Sequence, residues 1–498
     1  MLLIISDLHL TDGTSGSTIS SGAFNLLSER IEDLAQRAGN RADGRYRPID
    51  RIDLVLLGDV LDVIRSSRWL EGDVRPWDDP QSPAMIDTVR RITDAIIERN
   101  ALAMSTFREL ASSGGVKVCP ASNLARPMMG AEPIPVPVRI HYLVGNHDWF
   151  FHLPGEPYDA IRRRVVEAMG LANPATQPFP HDPHESDELM AAQRRHKLFA
   201  RHGDIYDPFN FEQDRDMSSL GDAIVIELLN RFSAQVESEL GDDLPMQTLL
   251  GLREIDNIRP LVLIPVWIDG LLERTCGFPA LRRKVKLVWD ALADRFLDLN
   301  FVRQRDTWNP ADLVDGLQQA LHFSKGLSLD TASAMAQWLL KIRGASTDSY
   351  YVHALTEQDF RNRRAKHIVY GHTHHAETVP LDASYADGHV LNQVYFNSGT
   401  WRRVYRQTQF APKEHEFIPA DTMTYLAFFQ GDERKGRPYE MWNASLAVRT
   451  PEIVSYRVDQ GVDHHAAGQP VSPPKLQPGT PHFATADTLR PIVPTRRV

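Results

Sequence analysis

Leu2-Leu3-Ile4-Ile5-Ser6-Asp7-Leu8-His9-Leu10 is the stretch from which the rest of the chain is read. Four apolar residues run into an Asp-x-His. A short, wholly apolar run is the mark of a strand buried on both faces. Residues i and i+2 of an extended chain point the same way. The carboxylate of Asp7 and the imidazole of His9 are therefore expected to project together from the strand's tip. A carboxylate beside an imidazole is half of a transition-metal site. Alone the pair is a weak signal, because polar residues end many strands, so the other half has to come from downstream.

Working outward, Phe24 to Ala38 carries apolar residues at helical spacing, and a second strand is expected at Ile52 to Leu57, ending in Gly58-Asp59-Val60-Leu61-Asp62. Strand, helix, strand is the order of a parallel layered sheet. Residues 66–83 read as loop, 84–112 as one long helix, and 119–137, with five prolines, as an exposed excursion. A third strand, Val138 to Val144, runs into Gly145-Asn146-His147-Asp148. A helix is expected from Tyr158 to Met169 and a loop over 173–187. Lys197 to Arg201 is a short strand ending in His202-Gly203-Asp204.

The pattern then turns helical, at 219–240, 259–274, 279–299, 310–322 and 328–342. Strands return at His367 to Tyr370, before Gly371-His372-Thr373-His374, and at Val390 to Phe396, before Asn397-Ser398-Gly399-Thr400. Alternation at 401–408 and 422–430 suggests antiparallel closing strands, with one more at Ile453 to Val458. Beyond 460 the chain is rich in Pro, Gly and His without periodicity, the composition of a disordered tail. The sequence thus divides into an α/β core in two parts, 1–215 and 344–460, a helical insertion over 216–343, and a tail over 461–498.

Five strand ends therefore carry nitrogen or oxygen ligands: Asp7 and His9; Asp59; Asn146 with His147; His202; and His372 with His374. In an open α/β sheet, ligand-binding groups gather beyond the carboxyl ends of the strands, so these residues are able to converge. In order, D-x-H, G-D-x-x-D, G-N-H-D, H-G-D and G-H-T-H, the motifs resemble those of the calcineurin-like metallophosphoesterase family. The motif-bearing parts span roughly a third of the chain.

The resemblance implies a four-layer α/β-β-α sandwich with a two-metal site. One cation would be held by Asp7, His9, Asp59 and His374, the other by Asp59, Asn146, His202 and His372, with Asp59 bridging. It also implies hydrolysis of a phosphodiester, pyrophosphate or phosphomonoester by direct attack of a metal-bridging hydroxide on phosphorus. His147 matches the family histidine that approaches the phosphoryl group or leaving oxygen, and Asp62 the aspartate that orients it. Within the family, the H-G-D block and the helical insertion are similar to the branch that includes UDP-2,3-diacylglucosamine pyrophosphatases. Those enzymes typically carry Arg where this chain has His147, and their insertion is shorter.

These residue types suit such chemistry. Two divalent ions about 3.5–4 Å apart clamp a phosphate; a carboxylate can span both, and a neutral imidazole cannot. Mixed His, Asp and Asn ligands favour Mn²⁺, Fe or Zn²⁺, with Mn²⁺ the first expectation, over Mg²⁺ or Ca²⁺. Asp148 and Asp204 read either as partners of the ligands or as turn residues. Asn397, Ser398 and Thr400 read as site floor or turn, and Arg402 and Arg403 as a solvated strand end ahead of a substrate-phosphate contact. His181, His184, His375, His464 and His465 read as loop or exposed residues outside any metal site. Leu261 to Ile268 reads as the insertion's core helix, kinked at Pro265, and the insertion as a cap that selects substrates.

Composition narrows the partners. Net charge is −10 with no basic run, which argues against broad binding of nucleic acid or anionic membrane. Two distant cysteines, Cys119 and Cys276, fit no zinc or redox spacing and suggest a reducing compartment. No stretch approaches the roughly 20 apolar residues of a membrane span, and no leader pattern precedes residue 2. The expectation is a cytoplasmic hydrolase acting on a phosphorylated small-molecule or lipid-linked substrate. A nuclease of the same family, and a scaffold that kept the fold without turnover, are the rival readings.

Overall fold

The computed structural model describes residues 1–259, 263–306, 313–326, 349–386, 389–408 and 416–447. In chain order its strands are β1 (Leu2–Ile5), β2 (Ile52–Leu57), β3 (Lys117–Val118), β4 (Ile134–Pro135), β5 (Val138–Leu143), β6 (Leu198–Ala200), β7 (Ile258–Arg259), β8 (His367–Tyr370), β9 (Glu377–Ala386), β10 (His389–Asn397), β11 (Arg402–Gln407), β12 (Phe417–Phe428) and β13 (Tyr439–Ala447). The main helices of the first part are α1 (Gly22–Ala38), α2 (Pro83–Arg99), α3 (Ala101–Ala111), α4 (Glu156–Met169) and α5 (Asp187–Arg195). The class is mixed α/β, with two mixed sheets.

The larger sheet has seven strands in the order β5-β2-β1-β12-β11-β7, with β13 on the other edge of β12. β5, β2 and β1 run parallel, and β12 lies antiparallel to β1, β11 and β13. β12 pairs with β1 through Leu426–Phe428 and with β11 through Phe417–Thr422. β11 therefore continues along β12 where β1 stops. That sets the turn before β11 against the end of β1, with Trp401 N donating to Asp7 O at 3.1 Å. The smaller sheet, β6-β8-β10-β9, is parallel except for β9.

Alternation on β1, β2 and β5 sends apolar side chains to two buried faces, which is why β1 reads as a continuous apolar run. Leu3, Ile5, Leu54, Leu56, Ile140 and Tyr142 face α1–α4. Leu2, Ile4, Val55, Leu57 and Leu143 face Leu198, Ala200, Val369 and Phe396 of the smaller sheet. Each large apolar side chain so buried contributes on the order of 1.5–3 kcal/mol, and a slip of one residue would exchange the two faces. The far face of the smaller sheet buries Phe199, Ile368, Tyr370 and Tyr395 under the short helices around Ala354 and Ala365.

The helical block runs through Leu220–Leu240, whose middle turn is a π-helix at Ile224–Asn230, then Met246–Leu252, Ile264–Thr275, Pro279–Leu297 and Leu313–Gly326. Leu228, Phe232, Trp267, Trp289 and Phe296 form its core. Ion pairs fasten it to loops of the α/β part, Arg75 to Glu227 at 2.5 Å and Arg65 to Asp256 at 2.7 Å. Among the described residues no helix is long and apolar enough to cross a membrane.

Several expectations are corrected. The helix expected over 84–112 is two, α2 and α3, broken at Asn100 (φ −107°, ψ 31°). The Asn100 side chain donates to both Ile96 O and Thr11 O at 2.8 Å, a local bond that competes with the helix. The helix expected from 259 starts at Ile264, because Ile258–Arg259 is strand β7 on the edge of β11. Pro265 stands in that helix's first turn, where its missing N–H has no intrahelical partner to lose, so it starts the helix without kinking it. β12 begins at Phe417 instead of 422, because β11 pairs with that earlier stretch. The helix expected over 328–342, the strand over 453–458 and the tail over 461–498 lie outside the described residues, as do Leu261 and Val262, His464 and His465.

Candidate metal centre

The loop after β1 does not stay extended. Asp7 (φ 55°) and His9 (φ 45°) take left-handed backbone, and so do Asp59 (φ 53°), His372 (φ 68°) and His374 (φ 58°). The expected reason for the pairing of Asp7 and His9, projection from an extended strand, is therefore wrong. Left-handed conformations of non-glycine residues cost about 1–3 kcal/mol each and persist where the surroundings over-determine them. Here the surroundings are a second ladder beyond the strands. Asp7 N donates to Gly58 O at 3.1 Å, His9 N to Asp59 O at 2.9 Å and Leu10 N to Val60 O at 2.9 Å. That zipper brings the first two motifs side by side. At Gly58 (φ +82°) a Cβ would run into the imidazole of His202, and at Gly145 one would run into Asp59 and His202, so both positions need glycine for close approach.

All nine expected site residues come together. Asp7, His9, Asp59 and His374 form one group, and Asp59, His202 and His372 another, sharing Asp59. His374 Nε2 is 3.2 Å from Asp7 Oδ1 and 3.0 Å from His9 Nε2. His202 Nε2 is 3.2 Å from Asp59 Oδ2, and Asn146 Oδ1 is 3.2 Å from His202 Nε2 and 3.0 Å from His372 Nδ1. Asp62 stands between two rings, accepting from Nδ1 of His9 and Nδ1 of His147 at 2.7 Å each.

The outer nitrogen of three of these rings fixes the tautomer. His202 Nδ1 lies 2.9 Å from Leu57 O, which only accepts, so that nitrogen carries the hydrogen. His9 Nδ1 gives its hydrogen to Asp62, and His372 Nε2 to Asp207 at 3.0 Å. In its neutral form each of these rings turns a lone pair inward. His202 Nε2 points its lone pair at two oxygens, Asp59 Oδ2 and Asn146 Oδ1, and His372 Nδ1 points at Asn146 Oδ1. Asn146 presents oxygen to them because its Nδ2 donates to Asn210 Oδ1 at 3.2 Å. Acceptors facing acceptors in a buried site are reconciled by a proton or by a metal cation. An outer oxygen holding the far N–H is the usual support of a metal-bound histidine. The donor set therefore fits two divalent ions of the Mn²⁺, Fe or Zn²⁺ class.

Charge placement shows what a metal ion would displace: burial opposes charge on His202, but Asp59 and Asp7 outweigh it and raise the ring to about 10, so without a metal a proton on Nε2 joins it to Asp59. Burial raises the carboxyl of Asp7, with Asp59 adding to the rise against the pull of His202, and pushes it up to about 6. Burial also opposes ionisation of Asp59, but His202, His147 and His9 outweigh it and hold it well below the usual carboxylate range. Burial and the nearby Arg402 lower His9 to about 4 against the attraction of Asp62, which keeps its inward lone pair free. Burial disfavours charge on His147 too, and Asp62 with Asp59 more than offset it, raising that imidazole to about 10.

The fourth ring departs from this arrangement. His374 Nδ1 is met by Nε and Nη2 of Arg259 at 3.3 Å, while Nη1 is anchored on Asp256 O and Ile258 O at 2.7 and 2.8 Å. Arg259 is the helical block's contribution to the site, and nothing in its local sequence singled it out. Asp207 was missed as well; no strand-like run precedes it.

The remaining candidates divide. Asp148 is buried and accepts from Val60 N, Gly145 N and Tyr142 OH, bracing the two loops that carry Asp59 and Asn146. Asp204 is buried on Arg215 at 2.8 Å. Ser398 Oγ lies 2.7 Å from Ser6 Oγ, and Thr400 Oγ1 donates to Asp7 O at 2.7 Å. Asn397 donates to Gly371 O, so this segment is both turn and site floor. Arg402 is not solvated: it is buried on Asp256 and Asn257, while Arg403 pairs with Asp421 at 3.0 Å. His375 is exposed and His184 largely so. His181, expected to be a plain loop residue, is buried in a cluster with His152 and Asp216.

Compared with known proteins, the chain matches no family model and no curated protein.

Proposed function

We propose that the chain is a dinuclear-metal phosphoesterase of the calcineurin-like type, hydrolysing a phosphodiester, pyrophosphate or phosphomonoester. The observation that carries this reading is the inward set of lone pairs and carboxylates around Asp59, drawn from five separated strand ends. The face-to-face sheets with helices against the outer face of the larger one support a four-layer sandwich as the scaffold. One cation is assigned to Asp7, His9, Asp59 and His374, the other to Asp59, Asn146, His202 and His372.

When bound, such a pair supplies Lewis-acid activation of the phosphoryl group and of the attacking water. The chain's own residues do the rest. Asp62 holds His9 and His147 in fixed orientations. His147, kept protonated by Asp62 and Asp59, donates a hydrogen bond or a proton to the phosphoryl or leaving oxygen. Arg259 brings a guanidinium edge from the helical block, which gives that block a part in holding an anionic substrate.

The test is hydrolysis of bis-p-nitrophenyl phosphate and p-nitrophenyl phosphate by metal-free protein with Mn²⁺ added back. Turnover restored by metal supports the reading, and the ratio of the two rates separates diesterase from phosphatase. Full binding of two ions with no turnover of either ester would favour the scaffold.

A further inference from the structure

His152, His181 and Asp216 come from three separate segments. His152 ends the turn that follows His147, His181 lies in the loop after α4, and Asp216 lies in the stretch leading into the helical block. Their ligand atoms all fall within 4.8 Å of one another. Asp216 Oδ1 is 2.6 Å from His152 Nδ1 and 3.0 Å from His181 Nε2, and the two rings lie 4.1 Å apart. The far nitrogen of His152, Nε2, lies 3.4 Å from Glu185 Oε2, which also accepts from His181 N at 2.9 Å.

We propose that His152 Nδ1, His181 Nε2 and Asp216 Oδ1 form a third cation site, of the Zn²⁺ class, that ties the entry of the helical block to the loops beside the phosphoesterase centre.

Three features support it. The donors are two imidazoles and one carboxylate, a set that suits borderline divalent ions and disfavours Ca²⁺ or Mg²⁺. Glu185 Oε2 lies 3.4 Å from the far nitrogen of His152, where an outer carboxylate can orient a metal-binding ring. His152 Nδ1 and Asp216 Oδ1 share a proton at 2.6 Å, the place a cation would take. Charge also fits a dication. Glu185 and Asp216 bear directly on His152, while the guanidiniums of Arg201 and Arg215 are paired with Asp182, Asp204 and Glu357. The buried Nδ1 of His181 has no hydrogen-bond partner; with a metal on Nε2 it would carry an unpartnered N–H, a cost the site has to bear. His152 and Asp216 are partly exposed, at 24% and 34% of their side chains, which leaves room for water as a fourth ligand.

The experiment counts metal by mass spectrometry in the full chain, stripped with chelator and dialysed against Zn²⁺, for wild type, Asp216→Asn, His152→Gln and Asp59→Asn. Three ions in wild type, two in Asp216→Asn or His152→Gln, and one in Asp59→Asn is the expected result. In Asp59→Asn the remaining ion, replaced by Co²⁺, should give a tetrahedral absorption band. Equal counts in wild type and both third-site variants, or none in Asp59→Asn, would overturn the proposal. One ion in both wild type and Asp59→Asn, absent from Asp216→Asn, would uphold this site and sink the dinuclear reading. Circular dichroism of each variant shows that the counts come from folded protein.

Discussion

The strand-end loops and the helical block bury opposite kinds of residue. Around Asp59 the buried groups are carboxylates and imidazoles on left-handed backbone, held by a ladder that runs on past the strands. Between 220 and 326 the largest buried groups are Phe232, Trp267, Trp289 and Phe296, packed as an ordinary helical core. Among the described residues its polar reach toward the site includes Asp222, beside His147, and the stretch Glu254 through Arg259. Two sites, two energetic problems: one region spends stability on holding unfavourable groups together, the other adds stability and presents one guanidinium. Chemistry should therefore belong to the strand ends, and substrate preference to the block.

The sharpest way to break that division is at Asp59. Asp59→Asn should lower turnover by at least about 10⁴-fold for every substrate, the scale on which removal of a core catalytic group acts. It should also empty the dinuclear centre. An Asp59→Asn protein that keeps both ions and turns over one ester normally would move the chemistry elsewhere. Next comes His147→Ala, expected to reduce kcat about 10²–10³-fold, the value of one lost transition-state donor, with metal content unchanged. Loss of metal in that variant would make His147 a ligand. Asp62→Asn should lie below both, at about 10–100-fold in activity or metal affinity, because it loosens His9 and His147 together without removing either.

How much of this was legible depends on whether the signal is local. Leu2–Ile5, Ile52–Leu57 and His367–Tyr370 are short apolar runs stopped by polar residues, so strand and ligand could be read in one glance. Asp62 was readable as the partner of His147 through the motif, but its second bond, to His9, exists only because the loops of β1 and β2 zip together. Asp207 and Arg259 carry no local mark. Each is defined by a ring on a strand end more than a hundred residues away. His181 was dismissed because a histidine in a Pro- and Asp-rich loop usually faces water; its partner Asp216 lies 35 residues on. The break at Asn100 was visible in principle, since Asn in mid-helix competes for carbonyls; the apolar pattern on either side concealed it.

The smallest effect tests the block's side of the comparison. With His374 Nε2 turned to a cation, Nδ1 of the same ring carries the hydrogen, and two donors of Arg259 then face a donor. The guanidinium keeps its Nη1 anchors on Asp256 O and Ile258 O, so its Nε–Nη2 edge is left without an acceptor. A substrate oxyanion supplies one, with the two parallel N–H groups matched to phosphate. Arg259→Met should therefore raise KM for an anionic phosphodiester about tenfold, near the lower end of a charged hydrogen bond's roughly 1.5–3 kcal/mol. It should leave kcat within about twofold, while Arg259→Lys, a point charge without the fork, should recover only part of the loss. The same substitution removes the apo protein's donor to His374, so cation affinity at the Asp7–His9–His374 position should hold or improve. Unchanged KM with weakened metal binding would make Arg259 a support of the ligand shell, and the helical block would then have no hand in the choice of substrate.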